Sequence, residues 1–417
     1  MSDSANAPSG AFVSLRHPNY RYYFFAQLLS LTGSWTQTTA LMWLAYSAEN
    51  YSSWPSLIAA LQVLPGTFLG PWGGNLADRL PRKKLIIFTQ CMFFLQSIGL
   101  LAASFLGHTA PWILMLFSLL WGVINALDLP ARLAFLVEMV GKKDLFNAVA
   151  LNSLQFNLAR LMGPAIGAYL LTWYGPTWCF AVNASSYLIL LLALFAMQPS
   201  AMFLEKPPEV KPGLLDGFRY LLGKPDLVLI ISTAGGMAVL GWPLLGLLPA
   251  YARQELAMGQ EAYGSLLSGV GGGALGAALL LAWKGAKFSK GLMQATGMLV
   301  ASIGLLLLSI AGSFGQALPC SILFGSGMIL FFATSQGMVQ LGAGDNHRGL
   351  VLGVWSMMLC TAVPLGNFIA GPLADIFPLR NILVGMAFLM GLLLVTFLLV
   401  KARMKRSITK EIQETIG

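Results

Sequence analysis

"GGNLADRLPRKK", residues 73–84, is the stretch on which the reading of this chain turns. Apolar residues run up to it and resume directly after it. Inside it stand Asp78, Arg79, Arg82, Lys83 and Lys84, with Pro81 among them. Elsewhere charge is scarce: 10% of the 417 residues are charged and 57% are hydrophobic, whereas a soluble domain carries about 25% charged residues. The apolar runs on either side are long enough for helices that cross a bilayer, which takes about 20 residues. The stretch therefore reads as a charged loop between two membrane spans.

Working outward, such runs recur from Tyr22 to Val400, and we count twelve. Lipid offers no hydrogen-bond partner to exposed backbone, so the runs are expected to be helices. The longest interruption, 199–225, holds "EKPPEVKP" and then the amphipathic "GLLDGFRYLLGK". It divides the spans six and six. The expected organisation is an N-terminal tail (1–21), a six-helix bundle (22–198), a central loop (199–225), a second six-helix bundle (226–400) and a C-terminal tail (401–417). The fourth span is placed at 111–129 and the fifth at 147–173.

Lysine and arginine favour the cytoplasmic side of a membrane. With both termini and the 73–84 loop in the cytoplasm, 22 of the 25 basic residues fall on that side. Only Arg253 and Arg380 fall outside, and Arg160 lies within a span. The net charge of +9 is thus a topology signal, which argues against a nucleic-acid partner. The first 20 residues are polar and predict no signal peptide. Cys91, Cys179, Cys320 and Cys360 lie in apolar runs without ligand spacing, so no metal or cofactor is expected.

The two halves repeat weakly. Setting Gly163 on Gly366 puts Gly167 on Ala370 and Gly175 on Pro378. Parallel repeats about an axis along the membrane normal describe one large class of secondary transporters.

The 73–84 stretch resembles the G-x-x-x-D-R-x-G-R-R/K signature of the major facilitator superfamily. Gly74, Asp78, Arg79, Arg82 and Lys83 match, and Pro81 replaces the second glycine. The resemblance implies an all-α membrane protein of twelve transmembrane helices in two six-helix bundles, related by a pseudo-two-fold axis along the membrane normal. It also implies a cytoplasmic latch, in which Asp78 meets N–H groups near Gly349 or Leu350 and Arg132 is a cationic partner. "LRHPNYRYYFFAQLLSLTGSW" and "ALDLPARLAFLVEMVGKKDLFNAVALNSLQFNLARLMGPAIG" are similar to the siderophore and drug exporter branch. That resemblance implies a monomeric exporter in the bacterial inner membrane, working by alternating access on a small-molecule substrate among membrane lipid. "RLMGPAIG" resembles an antiporter motif on the fifth helix, so Gly163, Pro164 and Gly167 are expected at a helix contact, with the glycines of 268–276 opposite. Protons are the implied coupling ion.

Arg160 is the one charge near mid-membrane, where insertion costs about 2.5–3.5 kcal/mol. On a helical wheel Asn157 and Ser153 share its face. Two readings stand: a structural cation that bonds its neighbours, or a cavity cation for an anionic ligand. No acid falls at mid-depth in any span, and Asp128, at the cytoplasmic end of the fourth, is the candidate for proton coupling. In the superfamily the first, fourth, seventh and tenth helices line the cavity. That assigns Gln27, Ser34 and Gln37, then Trp121 and Asn125, then Trp242 and Phe331, as lining residues, and Pro243 should break the seventh helix. Amides and hydroxyls facing aromatic rings suit an amphipathic ligand.

The chain lacks H-E-x-x-H, G-x-S-x-G and nucleotide-loop motifs, which argues against an enzyme and against ATP drive. The expectation is export of an anionic amphiphile such as a siderophore. Efflux of neutral or cationic drugs, and uptake or flipping of an anionic metabolite or lysolipid, remain alternatives.

Overall fold

The structure is a computed structural model that describes residues 12–197, 214–344 and 347–416. Residues 1–11 of the expected N-terminal tail, 199–213 of the expected central loop and Gly417 lie outside the described residues. Among the described residues every regular element is helical. After a 3-10 turn, Val13–Arg16, come α1 (Pro18–Glu49), α2 (Ser53–Val63), α3 (Pro65–Arg79), α4 (Arg82–Phe105), α5 (Pro111–Trp173) and α6 (Pro176–Ala196). Next are α7 (Leu214–Leu222), α8 (Pro225–Gly241), α9 (Pro243–Gln254) and α10 (Gln260–Lys284). The series ends with α11 (Lys290–Ile310), α12 (Phe314–Gly342), α13 (Arg348–Ile376) and α14 (Leu379–Ile416).

The starts of these helices are written locally. Six open on proline (Pro18, Pro65, Pro111, Pro176, Pro225 and Pro243), where its fixed φ suits the first turn and its missing N–H costs nothing. Asn50 ends α1 in the left-handed region at φ 58°, a conformation asparagine tolerates. Nine helical stretches among the described residues are long and apolar enough to cross a membrane. The stretch α1 is not among them, because Gln27, Ser30, Ser34 and Gln37 run along it.

Several expected boundaries move. The segment 130–146, read as a loop, is helical, and α5 runs for 63 residues with one break at Gly141 (φ 70°). Helix continues through Pro130, since neighbouring helices can hold a segment in which one N–H is missing. The apolar run that leads up to the 73–84 stretch is not one continuous helix: it is interrupted between Val63 and Pro65. The expected break at Pro243 is present, between α8 and α9.

The described chain divides into two compact units. One comprises 12–50, 61–197 and 259–268; the other comprises 51–60, 214–258, 269–344 and 347–416. Each of α2 and α10 begins in one unit and ends in the other.

In the first unit Tyr20, Tyr23 and Phe24 of α1 pack on Ile86 of α4, Phe135 and Met139 of α5, and Leu190 of α6. The turn before α1 is tied down by Ser14, whose N–H donates to Asn147 Oδ1 at 3.0 Å and whose hydroxyl donates to the Asp144 carbonyl at 3.0 Å. In the second unit, α11 and α12 approach through Gly297, Gly304 and Gly327. The short α7 lies on α13, where Gly217 faces Leu350 and Val354. Tyr220 stacks on His347 with ring centroids 4.1 Å apart and donates to the Ala343 carbonyl at 2.8 Å.

The paired glycines of the opening stretch have different surroundings. A Cβ on Gly73 would overlap the Ala126 carbonyl oxygen of α5, while one on Gly74 would meet open space. Gly73→Val should therefore lower stability by about 1–3 kcal/mol, as overpacking does, and Gly74→Val should be tolerated. Thermal unfolding of the two purified variants in one detergent tests the difference.

Candidate functional site

Arg160 is 7% exposed on α5. Its guanidinium lies 5.3 Å from the Trp35 ring of α1 and 5.1 Å from the Phe156 ring one turn earlier. The two rings meet edge to face at 6.4 Å. A cation over aromatic faces gains about 0.5–2 kcal/mol, most where water is excluded, so this pairing compensates part of its burial. Asn157 donates to the Ser153 carbonyl at 2.9 Å, while its buried Oδ1 has no hydrogen-bond partner among the described residues. Ser153 itself is exposed. Arg160, Asn157 and Ser153 thus share one side of α5, as their spacing predicts, and Trp35 of α1 supplies a ring beside Arg160.

The glycine face is close to Arg160 but meets a different helix from the one expected. A Cβ on Gly163 would lie 2.8 Å from the Thr32 carbonyl oxygen, and one on Gly167 would lie 3.1 Å from that of Thr36. Thr36 donates to the Gly163 carbonyl at 3.0 Å. The surface opposite Gly163 and Gly167 is therefore α1. Of the 268–276 glycines, Gly269 and Gly273 face α12. The start of α10 approaches the motif, with Gly264 beside Ala168 and the Pro164 carbonyl.

Toward the other end of the unit, Asp128 is fully buried. Thr89 and Gln90 donate to its Oδ1 at 2.6 and 3.0 Å, and Arg132 Nε lies 2.5 Å from Oδ2. Arg132, expected beside Asp78, is thus the partner of Asp128 one turn along α5. Arg82 donates to Glu138 at 3.0 Å, and Lys83 donates to the Met197 carbonyl at 3.2 Å. Glu138, the partner of Arg82, lies ten residues past Asp128 on the helical part of 130–146, a segment whose sequence reads as a loop. Asp78 is half-buried at the end of α3 and Arg79 is exposed.

The expected lining residues divide. Ser34 and Trp121 both reach the Tyr187 hydroxyl, at 2.9 and 3.2 Å, and Asn125 is half-buried on the helix of Trp121. Gln37 is sealed within a polar network: its Oε1 accepts from Ser97 and from Asn183, each at 2.9 Å, and its amide donates to Gln96 at 3.3 Å. Gln27 is also buried. In the second unit Trp242 sits at the α8–α9 break, 6.0 Å from the Phe332 ring. Phe331, the expected lining residue, is wholly buried, with its backbone against Gly297 of α11. The neighbouring Phe332 meets both Trp242 and Trp355. A one-residue step on a helix turns a side chain by about 100°, so Phe332 rather than Phe331 faces the two tryptophans.

This arrangement offers a desolvated cation held by rings, an amide oxygen in need of a donor, and a separate buried acid–base pair. No group of side chains among the described residues is arranged to hold a metal.

Comparison with known proteins bears on the family and the fold. The profile of the family described as "Transmembrane secretion effector" matches residues 9–415. The enterobactin exporter EntS of Escherichia coli O1:K1 / APEC is 26% identical over 366 residues, covering 86% of this chain and 85% of EntS. EntS of Shigella flexneri is 26% identical over 368 residues with the same coverage. Among solved structures, a bacterial homologue of the human lysosomal transporter Spinster superposes with a TM-score of 0.72 at 14% identity, over 92% of this chain and 97% of that one. The nucleoside transporter NupG superposes with a TM-score of 0.73 at 13% identity, over 91% and 98%. At these identities the solved structures report the fold alone.

The Asp128–Arg132 pair has a consequence for stability. Removing one member of a buried ion pair strands the other, at a cost of about 3–5 kcal/mol. Asp128→Asn should therefore destabilise the protein by that order, and adding Arg132→Gln should recover much of the loss. A double-mutant cycle by thermal unfolding measures it, and additive effects would contradict the pairing.

Proposed function

The chain belongs to the transmembrane secretion effector family of major facilitator transporters, and on that premise we propose that it exports an anionic amphiphile, a siderophore above all, from the cytoplasm. The observation that carries the substrate class is the Arg160 guanidinium, buried against the Trp35 and Phe156 rings, with the unpartnered side-chain Oδ1 of Asn157 on the same side of α5. A carboxylate, catecholate or phosphate takes two-point, charge-assisted bonds from a planar guanidinium. Aromatic rings next to the cation accept the apolar part of such a ligand. The name of the EntS relatives, enterobactin exporter, supports the same class.

In this reading twelve spans form two six-helix bundles in the bacterial inner membrane, with both termini cytoplasmic, and a monomer works by alternating access. Asp78, with Gly74, Arg79, Arg82 and Lys83, forms the cytoplasmic latch. Its surroundings favour the role, because Arg82 and Lys83 are already engaged by Glu138 and Met197 and hold the loop in place. Export runs by proton antiport, and Asp128 takes up the proton: protonation would release Arg132, its ion-pair partner.

Arg160→Lys should fold but bind an anionic ligand more weakly, since the planar fork is lost, and Arg160→Gln should lose more. Titration of purified protein with enterobactin and with a methylated, uncharged form of it tests this. Equal affinity for the two, unchanged in Arg160→Gln, would make Arg160 structural and favour neutral or cationic drugs as cargo.

Latch and coupling share a second assay, enterobactin flux in proteoliposomes. Asp78→Asn should slow flux at normal membrane insertion. An imposed proton gradient should accelerate it, and Asp128→Asn should blunt that acceleration. Flux unmoved by a protonophore would remove the proton from the mechanism, and wild-type flux in Asp78→Asn would remove the latch.

A further inference from the structure

Three residues after α1 ends, α2 begins, and its first turn is held by a carboxylate from far along the chain. Asp375, on the last turn of α13, accepts from the Ser52 N–H through Oδ1 at 2.5 Å and from the Ser53 N–H through Oδ2 at 3.1 Å. The first N–H groups of a helix have no intrahelical partner, and the positive end of the helix dipole favours an anion there. Ser52 would ordinarily cap such a turn through its own hydroxyl. That hydroxyl is instead buried without a hydrogen-bond partner among the described residues, and the carboxylate takes over the role.

Beneath this cap is a floor of small residues. Along α13, Asn367, Gly371 and Asp375 stand four residues apart on one face. A Cβ on Gly371 would lie 2.6 Å from the Ser56 Cβ, and one on Gly246 of α9 would lie 2.9 Å from the Ser56 Cα. Ser56 is completely buried in this seat. All of these contacts lie within the second unit, yet the chain of α2 passes into the first unit at Leu61 and continues there as α3. A rearrangement of the transporter must either carry the first turn of α2 along or take it out of its seat.

We propose that Asp375 is a positioning residue of the transport cycle, a releasable clasp that fixes the first turn of α2 on α13 in one state and lets it go in the other. Three features suit release. Asp375 is exposed at the surface, so water can replace it on the N–H groups as it leaves. Gly371 and Gly246, which approach Ser56, carry no side chains to withdraw. The Ser52 hydroxyl, the Ser56 hydroxyl and the Asn367 Oδ1 are all buried without partners among the described residues. Buried polar atoms in that condition penalise the closed seat and are relieved by hydration on opening. The two bonds from Asp375 offset that penalty, which leaves the seat near balance and makes one carboxylate decisive.

The test needs no substrate, so its outcome is independent of the cargo proposed above. Full-length protein carrying Ser56→Cys, or Asn75→Cys at the other end of the same pair of helices, is labelled with a membrane-impermeant maleimide in right-side-out and inverted vesicles. The protein without the added cysteine provides the background. Asp375→Ala should raise labelling at Ser56→Cys about fivefold, the shift expected for loss of a helix cap, and should lower it at Asn75→Cys. Asp375→Asn, which keeps one acceptor oxygen, should fall between. A merely structural role would loosen both ends and raise both rates. That result overturns the proposal, as does wild-type labelling at Ser56→Cys in Asp375→Ala. If Asp375→Ala fails to accumulate in the membrane, Asp375→Asn decides by the same two rates.

Discussion

Close approach of helix backbones is the constraint on which the rest of this structure depends. In lipid, helices gain nothing from hiding apolar surface from one another, because the tails around them are equally apolar. What remains is dispersion between well-fitted surfaces and the hydrogen bonds they enclose. The chain meets this need with small residues at the crossings: Gly73 on the Ala126 carbonyl, Gly163 on Thr32 and Trp35, Gly297 and Gly327 between α11 and α12. Each allows carbonyl oxygens of one helix to touch the backbone of the next. Leu, Ile and Phe, by contrast, are often left facing outward, as Phe195, Leu280 and Phe388 are.

Once backbones are close, buried polar side chains find partners across the contact. The network joining Gln37, Gln96, Ser97 and Asn183 ties α1, α4 and α6 together in the first unit. Asp128 does the same between α4 and α5 with Thr89 and Gln90. Arg132 lies within ion-pair distance of the remaining oxygen. Such a network is costly when partly satisfied and rigid when complete. In the second unit Gln294 of α11 donates to Ser335 of α12 at 2.9 Å, a buried polar link of the same kind.

Some of the polar atoms buried without hydrogen-bond partners among the described residues lie where motion or binding is proposed. Asn157 Oδ1 lies on the face of Arg160, while Ser52, Ser56 and Asn367 surround the seat of α2. An unsatisfied buried group raises the energy of the state that buries it. A protein that alternates between states needs each one to be only slightly better than the other, and groups of this kind provide that balance.

Much of this was legible in the amino-acid order alone. Sparse charge and recurring apolar runs dictate helices in lipid, because the medium leaves backbone groups no other partner. Proline marks helix starts at Pro111 and Pro243 through its own fixed geometry, whereas the start at Pro65 was not read from the sequence. The spacing of Ser153, Asn157 and Arg160 puts them on one side of α5, since the period of a helix is the same everywhere. Partners were not legible in the same way. That Gly163 meets α1, that Arg132 pairs with Asp128, that Gln37 is sealed in a network and that Phe332 rather than Phe331 meets Trp242 all depend on how helices are rotated and crossed. So does the capping of α2 by Asp375, more than 300 residues away. Local sequence determines which conformations a segment can take and which face is polar; only the packed structure, where each helix is turned to satisfy all its neighbours at once, decides which residues meet.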